Sequence, residues 1–459
     1  MFIRGIGNTR HDAWWRSTRL SRRAVQVAAA MSASAALVLG GIVATSGSAT
    51  ASVRSKPKGS PLVVADVAPF TGVDAALGPT YLVSCDAVTN AINEAGGVLG
   101  HPLGCKSVDT RGDPADAVPA VQQLFASTPT VSLVIGCTSD EAASVVPIIN
   151  ARKVVMFCMT GQSEFTHITF PYFFRLVPPD LATADAMVAI AKYHTHYKRI
   201  ALAFGNDIGS QTFVTPAVQA IHKVGLDLVA NLTLDLTATT FRTEAARIVA
   251  AHPDVIFTEA LGSADATFLS EVKQENHGKP IPVIGTSATI SPTWYSSVSK
   301  AVGAAYLSKD YQADNLVTLT SGPAFEAFKK AIFAMKGKVG NSGNFTTYLS
   351  APGAVHLYDG INLAALAMVE AKSTTPSVYK PYILSIGNGS PGAVVVHTFA
   401  QGVAALKRGK KIRYIGPGGP TSFDAHHDSP GIFQIDKYGP KGQVIVAGTI
   451  TTSQLRSVK

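Results

Sequence analysis

The sequence contains no basic stripe interleaved with aromatic residues, so the electrostatic footprint of a nucleic-acid-binding protein is absent. The formal net charge of +9 does not contradict this. Six arginines and a single acid, Asp12, precede residue 52, which leaves about +4 (9 − 5) for the remainder. The one basic run, Lys407 to Lys411, reads as a solvated helix end. The chain also has no C-x-x-C pair, no G-x-S-x-G elbow, no H-E-x-x-H and no phosphate-binding Walker loop, so no motif points to catalysis or a resident metal. Beyond the N-terminal region, no segment is long and apolar enough to suggest a membrane span. Charge is scarce at 15% of 459 residues, whereas 46% are hydrophobic, enough to bury more than one core.

Two motifs look like exceptions. Residues 387–392, GNGSPG, fit G-x-G-x-x-G and follow the strand-like PYILSI. However, Lys407 to Lys411 stand where a dinucleotide site wants an acid, and Pro391 removes one N–H donor. A plain glycine-rich turn is expected. His426 and His427, flanked by Asp424 and Asp428, are read as a surface turn rather than a metal site.

The first fifty-one residues read as a targeting segment. A basic start and an apolar middle lead to the small-x-small ending Ala49-Thr50-Ala51, which marks a signal peptide cleaved near Ala51. General secretion fits better than twin-arginine export, and a retained anchor is the alternative. No cysteine precedes Cys85, so no lipid-attachment cysteine is expected. The four cysteines are Cys85, Cys105, Cys137 and Cys158. In an oxidising compartment they suggest two disulfides. Three pairings are possible. Cys85–Cys105 with Cys137–Cys158 is preferred, because each would join neighbouring elements of one layer. Four buried thiols are the alternative.

From residue 61 the chain alternates strand and helix. An apolar run closed by Pro69 and Gly72 is a buried strand. Helical periodicity follows at Leu82, Cys85, Val88, Ala91, Ile92 and Ala95, and Gly96-Gly97 ends it. The alternation continues to residue 160, and resumes from 181 to 288 after the break at Pro178-Pro179. Helices are expected near 323–336, 359–371 and 394–408, and tail strands at 431–435 and 442–449. The pattern implies two doubly wound parallel sheets of the α/β class.

APFTG after the first strand, AINEAGGVLGHPL, DTRGDPADAVPAVQQL, YDGINLAALAMVEA and GPGGPTSFDAHHD, in that order and spacing, resemble the type I periplasmic binding proteins. The nearest branch is the solute receptors of the Leu/Ile/Val-binding kind that serve ABC importers. The resemblance spans about 61–450. It implies two α/β lobes joined by a three-crossing hinge, with crossings near 176–181, 305–310 and 411–418. The lobes would then be 52–178 with 310–412, and 179–309 with 413–459.

It further implies a monomeric, extracytoplasmic receptor without a cofactor, whose partners are a small-molecule solute and a membrane permease. By resemblance, Cys137, Thr138 and Ser139 after the third strand form a carboxylate-binding loop, with Met159, Thr160, Gly161 and Gln162 as its partner loop. In the second lobe the pattern changes. Asp207-Ile208 stands where amino-acid binders carry a tyrosine before the glycine. Thr286, Ser287 and Ala288 stand where an acid would hold an α-ammonium group. Glu259, ending its strand, could replace that acid. A ligand-sensing or adhesion protein of the same fold would be favoured by a retained anchor and an incomplete pocket. An exported enzyme would be favoured by a buried nucleophile–His pair.

Overall fold

The computed structural model describes residues 56–458, except 73, 167–169, 262, 340–344 and 430. The expected signal peptide and its cleavage point lie outside the described residues. In chain order the strands are β1 (Leu62–Ala68), β2 (Leu103–Asp109), β3 (Val131–Gly136), β4 (Met156–Cys158), β5 (Phe173–Arg175), β6 (Arg199–Gly205), β7 (Asp227–Leu234), β8 (Val255–Glu259), β9 (Val283–Gly285), β10 (Tyr311–Leu316), β11 (Val394–Val396), β12 (Ile412–Gly416), β13 (Gly419–Pro420), β14 (Phe433–Tyr438) and β15 (Val444–Thr449).

The first sheet runs β2-β1-β3-β4-β5 with every pairing parallel. All of β3 is buried, because helices cover both faces, as a parallel sheet requires. One face packs against helix α1 (Gly78–Glu94) and the helix Pro352–Ala371. The other packs against α2 (Pro114–Ser127) and α3 (Ser139–Ala151). Helix Pro352–Ala371 is apolar nearly all round, which suits a helix enclosed on every side. No helix among the described residues is long and apolar enough to cross a membrane.

The second sheet runs β15-β14-β10-β9-β8-β6-β7. Strands β6 to β10 pair in parallel, while β14 and β15 add an antiparallel edge. Alternate residues of β6 serve the two faces. Ala201 and Ala203 join a core around Phe268 and Trp294. Ile200, Leu202 and Phe204 meet Met187 and Ile221 on the other, from helices α4 (Asp180–Ala189) and α6 (Val214–Lys223). A third, small sheet runs β11-β12-β13.

The corner at Gly96-Gly97 explains its own sequence. The Gly97 N–H donates to Ile92 O at 3.0 Å and the Gly96 N–H to Asn93 O at 3.0 Å, the paired bonds of a Schellman cap. Both glycines have positive φ, 101° and 70°. A Cβ on Gly97 would lie 2.2 Å from His101 O, so helix α1 turns into β2 within a space no side chain fits.

Sheet and core membership correct several expectations. At the first crossing the chain leaves the first core after Leu176 and enters the second with Ala184. The second crossing falls later than 305–310: Tyr311–Leu316 pairs with β9 and β14, and the chain rejoins the first core only with Phe328. The third is also later than 411–418. Strand β12 pairs with β11, and Phe423 still belongs to the first core whereas Phe433 lies in the second. PYILSI is helical, within Pro376–Asn388. A short apolar run reads alike in strand and helix, and GNGSPG begins in the last turn of this helix. The expected helix at 394–408 opens with β11 before Phe399–Lys407.

The His426-His427 turn is half-buried against the hinge rather than on the surface. The His427 ring stacks on Phe174 at 4.1 Å, and its Nδ1 donates to Phe173 O at 2.9 Å. Next to it, Arg175 is fully buried. Its Nε and Nη2 reach Asp428 Oδ1 at 2.9 and 2.8 Å, its Nη1 donates to Gln162 O at 3.0 Å and its Nη2 to Thr166 Oγ1 at 3.1 Å. The first and third crossings are therefore clamped together by one ion pair.

Candidate functional site

Strand carboxyl ends from both sheets converge on one cleft. Among the described residues it encloses about 920 Å³, part of it open to solvent. Loops beyond the strand ends, where an open α/β sheet leaves free backbone donors, are the usual ligand position. The first sheet contributes Thr138 and Ser139 after β3, and Met159 and Gly161 after β4. The second contributes Asp207 after β6, Glu259 at the end of β8, and Ser287 and Ala288 after β9.

The other expected positions stand behind this wall. Cys137 is buried and disulfide-bonded to Cys158, and Cys85 is bonded to Cys105, the expected pairing. Thr160 is buried, with its hydroxyl 3.1 Å from Ser139 Oγ and accepting from Gln162 N at 3.2 Å. Gln162 is buried as well and does not line the cleft. Thr286 is buried, and its hydroxyl donates to the Glu259 carboxylate. Ile208 is 46% exposed and faces away from the cleft. It opens the one-turn helix α5 (Ile208–Gln211), which turns Gly209, not Ile208, inward.

The first-lobe loop is shaped by its own acids. Glu141 accepts from Thr138 N at 3.1 Å, from the Thr138 hydroxyl, and from Thr110 Oγ1 at 3.0 Å. The Thr138 hydroxyl is thus committed to the start of α3, as in a capping box. Cys137 holds a left-handed φ of 49°, uncommon for a non-glycine residue and frequent at functional loops. Gly161 lies so close to Asp180 that a Cβ would fall 1.8 Å from Asp180 Oδ1, and its carbonyl accepts from Asp180 N at 2.7 Å.

Three acids of the wall are missing from the sequence reading. Asp140 follows Ser139 in a loop already singled out, and its Oδ1 accepts from Gly209 N at 3.2 Å, joining first lobe to second across the cleft. Asp180 follows the double proline and accepts from Thr212 Oγ1 at 2.5 Å. Asp314 lies on β10, in a stretch expected to belong to the first lobe. With Asp207 and Glu259, these make five carboxyl groups in the lining, and no lysine, arginine or histidine among the described lining residues.

Burial and neighbouring charge push Asp140, Asp180, Glu259 and Asp314 up. Burial raises Asp180 to about 7, despite the Thr212 hydrogen bond and the nearby Arg175 charge. Burial also drives Glu259 well above its ordinary value, with Asp207, Asp180 and Asp140 adding to the effect and Thr286 opposing it. Asp314 rises for the same first reason, as does Asp140, next to the Asp207 charge.

This predicts how stability depends on pH. Away from the cleft, burial raises Asp359 to about 8. Between the ordinary carboxyl value and these raised ones, the folded chain holds protons the unfolded chain has released. That stabilisation is complete below about pH 4 and is lost as pH rises through 7 to 8, at about 1.4 kcal/mol per proton and pH unit. The buried His356, lowered to about 4, acts oppositely but only below about pH 6.5, the ordinary histidine value. Melting temperature by calorimetry should therefore fall from about pH 6.5 to 8.5. A rise over that window would mean that the cleft acids are ionised in the folded state.

Two α/β lobes enclosing a cleft built from the strand ends of both define a solute-binding protein of the type I periplasmic binding fold. A family model described as Periplasmic binding protein matches residues 61–431, and the chain belongs to that family, whose members bind solutes and are not enzymes. Among solved structures, the substrate-binding protein LivJ of Streptococcus pneumoniae, in complex with isoleucine, is 17% identical. That match covers 85% of this chain and 99% of LivJ at a TM-score of 0.66. A solute-binding protein from Rhodopseudomonas palustris in complex with 4-hydroxybenzoate is 16% identical, covering 84% and 96% at a TM-score of 0.66. At such identities the likeness is one of fold. A curated relative, Leu/Ile/Val-binding protein homolog 3 of Brucella melitensis, is 24% identical over 167 residues, 36% of this chain. The match spans 45% of that relative's length.

Proposed function

We propose that this protein is the extracytoplasmic solute receptor of an ABC importer, acting as a monomer that closes on a small organic solute carrying an amino group. The observation that carries this reading is the cleft itself. Its walls come from two separately cored lobes, and the Asp140–Gly209 contact ties them across it. Three chain crossings allow the lobes to swing as a hinge. A solute shifts the population toward closure only as far as it binds the closed form more tightly, and the permease reads that form. Glu259, buried and in the lining, meets the amino group. Burying an ammonium without such a counter-charge costs several kcal/mol. Thr138, Ser139, Met159, Gly161, Asp207 and Ser287 form the surrounding contacts, with the buried Thr160, Thr286 and Cys137 acting from behind the wall. The relatives that bind isoleucine and 4-hydroxybenzoate support a solute of this size.

A thermal-shift screen of residues 52–459 tests the reading, with amino acids, amides, urea and aromatic acids as the panel. A solute at a hundred times its Kd should add about 2.7 kcal/mol, a resolvable rise in melting temperature. Glu259→Gln should abolish the rise for amino-bearing compounds. No response to any solute would point to a sensing or adhesion role without transport.

A further inference from the structure

Resting on the receptor reading, we propose that the solute carries a second hydrogen-bond donor, about 4–10 Å from its amino group, and that Asp314 receives it. Strand register places this acid. Thr258 of β8 pairs with Gly285 of β9, and Gly285 pairs with Ala313 of β10. The residues that follow, Glu259, Thr286 and Asp314, therefore stand level with one another, on the face shared by Phe257 and Ile284. Neighbouring strands lie about 4.8 Å apart, so Glu259 and Asp314 are about 10 Å apart across the cleft end of the sheet. A hydrogen bond of about 2.9 Å at each acid leaves the two solute donors about 4–10 Å apart.

Asp314 is 1% exposed and lines the cleft, yet no other residue donates to either of its oxygens. Polar side chains close to it in the sheet are committed elsewhere. Asn315 donates to Asp436 at 2.7 Å and to Ser350 O at 3.1 Å, and Gln434 donates to Asp436 at 2.8 Å. The Thr286 hydroxyl, level with Asp314, is given to Glu259. Further along the same face Leu316 pairs with Phe433, and both line the cleft. A buried acid beside apolar neighbours is costly unless something supplies its donor. Asp66 and Asp74 are also buried without partners, but neither lines the cleft. Asp314 is the one of the three that a solute can reach.

Burial raises Asp314, with Asp436 and Asp180 adding to the effect. As a neutral acid it accepts from a hydroxyl or an amide N–H through its carbonyl oxygen, and as a carboxylate it accepts from a second ammonium group. A purely hydrocarbon tail leaves it unpaired in either state. A site built around a hydrogen bond rejects the isostere lacking that group far more strongly than an apolar pocket rejects an added hydroxyl.

Amino acids matched in size but not in tail polarity test this, because the amino and carboxylate groups stay constant within each pair. The pairs are threonine with valine, asparagine with leucine, and lysine with norleucine, and benzoate is titrated alongside. Calorimetric titration should show at least one donor-bearing member bound about tenfold or more tighter than its apolar partner. Asp314→Val should reduce that ratio to about one without lowering the melting temperature of the free protein. Asp314→Ala repeats the test with a smaller side chain. If the apolar members bind as tightly as their partners, or only benzoate binds, this inference fails and the receptor role survives. A preference kept in both variants also overturns it. If no compound binds, both readings fail together.

Discussion

Replacing Arg175 with methionine is expected to destabilise the protein by about 3–5 kcal/mol, because it leaves a buried carboxylate without its counter-charge. Arg175 is fully buried and Asp428 nearly so. The guanidinium satisfies that acid, the Gln162 carbonyl and the Thr166 hydroxyl at once. Removing it strips three acceptors of a donor, two of them buried. The Arg175 backbone N–H also donates to His427 O at 3.0 Å, so the substitution weakens side-chain bonds between two crossings while the backbone bond remains. Calorimetry of Arg175→Met should show the loss. The pair Arg175→Met with Asp428→Leu should recover a large part of it, since an apolar pair of similar volume no longer buries an unpaired charge. A loss under about 1 kcal/mol would mean that the pair behaves as an exposed one. The substitution should also weaken solute binding, because Gln162 belongs to the loop that presents Met159 and Gly161 to the cleft.

Removing the Cys137–Cys158 disulfide, as Cys137→Ala with Cys158→Ala, should lower stability by about 3 kcal/mol, the loop-closure value for a ring of this size. Its cysteines are 21 positions apart and those of Cys85–Cys105 are 20 apart, so equal entropic losses are expected from both. Their functional effects should differ. Cys137–Cys158 ties the ends of β3 and β4 immediately before Thr138 and Met159. It also supports the left-handed backbone at Cys137. Cys85–Cys105 joins the middle of α1 to β2, away from the cleft lining. Denaturant titration of the two double variants, with solute affinity measured on each, separates stability from site geometry. The Cys137–Cys158 variant should lose both. The Cys85–Cys105 variant should lose stability with affinity kept. Equal losses of affinity in the two would show that the bridge under the loops does not position them. The half-exposed Cys105 also makes its bridge the more accessible to a reductant.

What the sequence determined alone is the part set by short-range pattern. Strand and helix alternate because apolar residues change period, and the Gly96-Gly97 corner follows from a left-handed cap that only glycine adopts. The disulfide pairing was legible because each bridge joins neighbours in both sequence and layer. The loops after β3, β4, β6, β8 and β9 were singled out through the resemblance to the periplasmic binding proteins, in keeping with the place of ligands at parallel-strand ends. The strand-like reading of PYILSI failed because a short apolar run looks the same in a strand and in a buried helix.

Only the tertiary structure decided the character of the site. Asp140, Asp180, Asp207, Glu259 and Asp314 are spread over 175 positions (314 − 140 + 1) and meet because two sheets turn their carboxyl ends toward each other. Nothing local distinguishes Asp314 from a solvated acid. Its burial follows from β10 lying inside the second sheet, a consequence of pairing with β9 and β14. Arg175 and Asp428 are 253 positions apart, and their partnership exists only once both crossings are in place. Burial of charge is a property of the assembled fold, so the chain's scarce charges could be counted from the sequence while their convergence on one cleft could not.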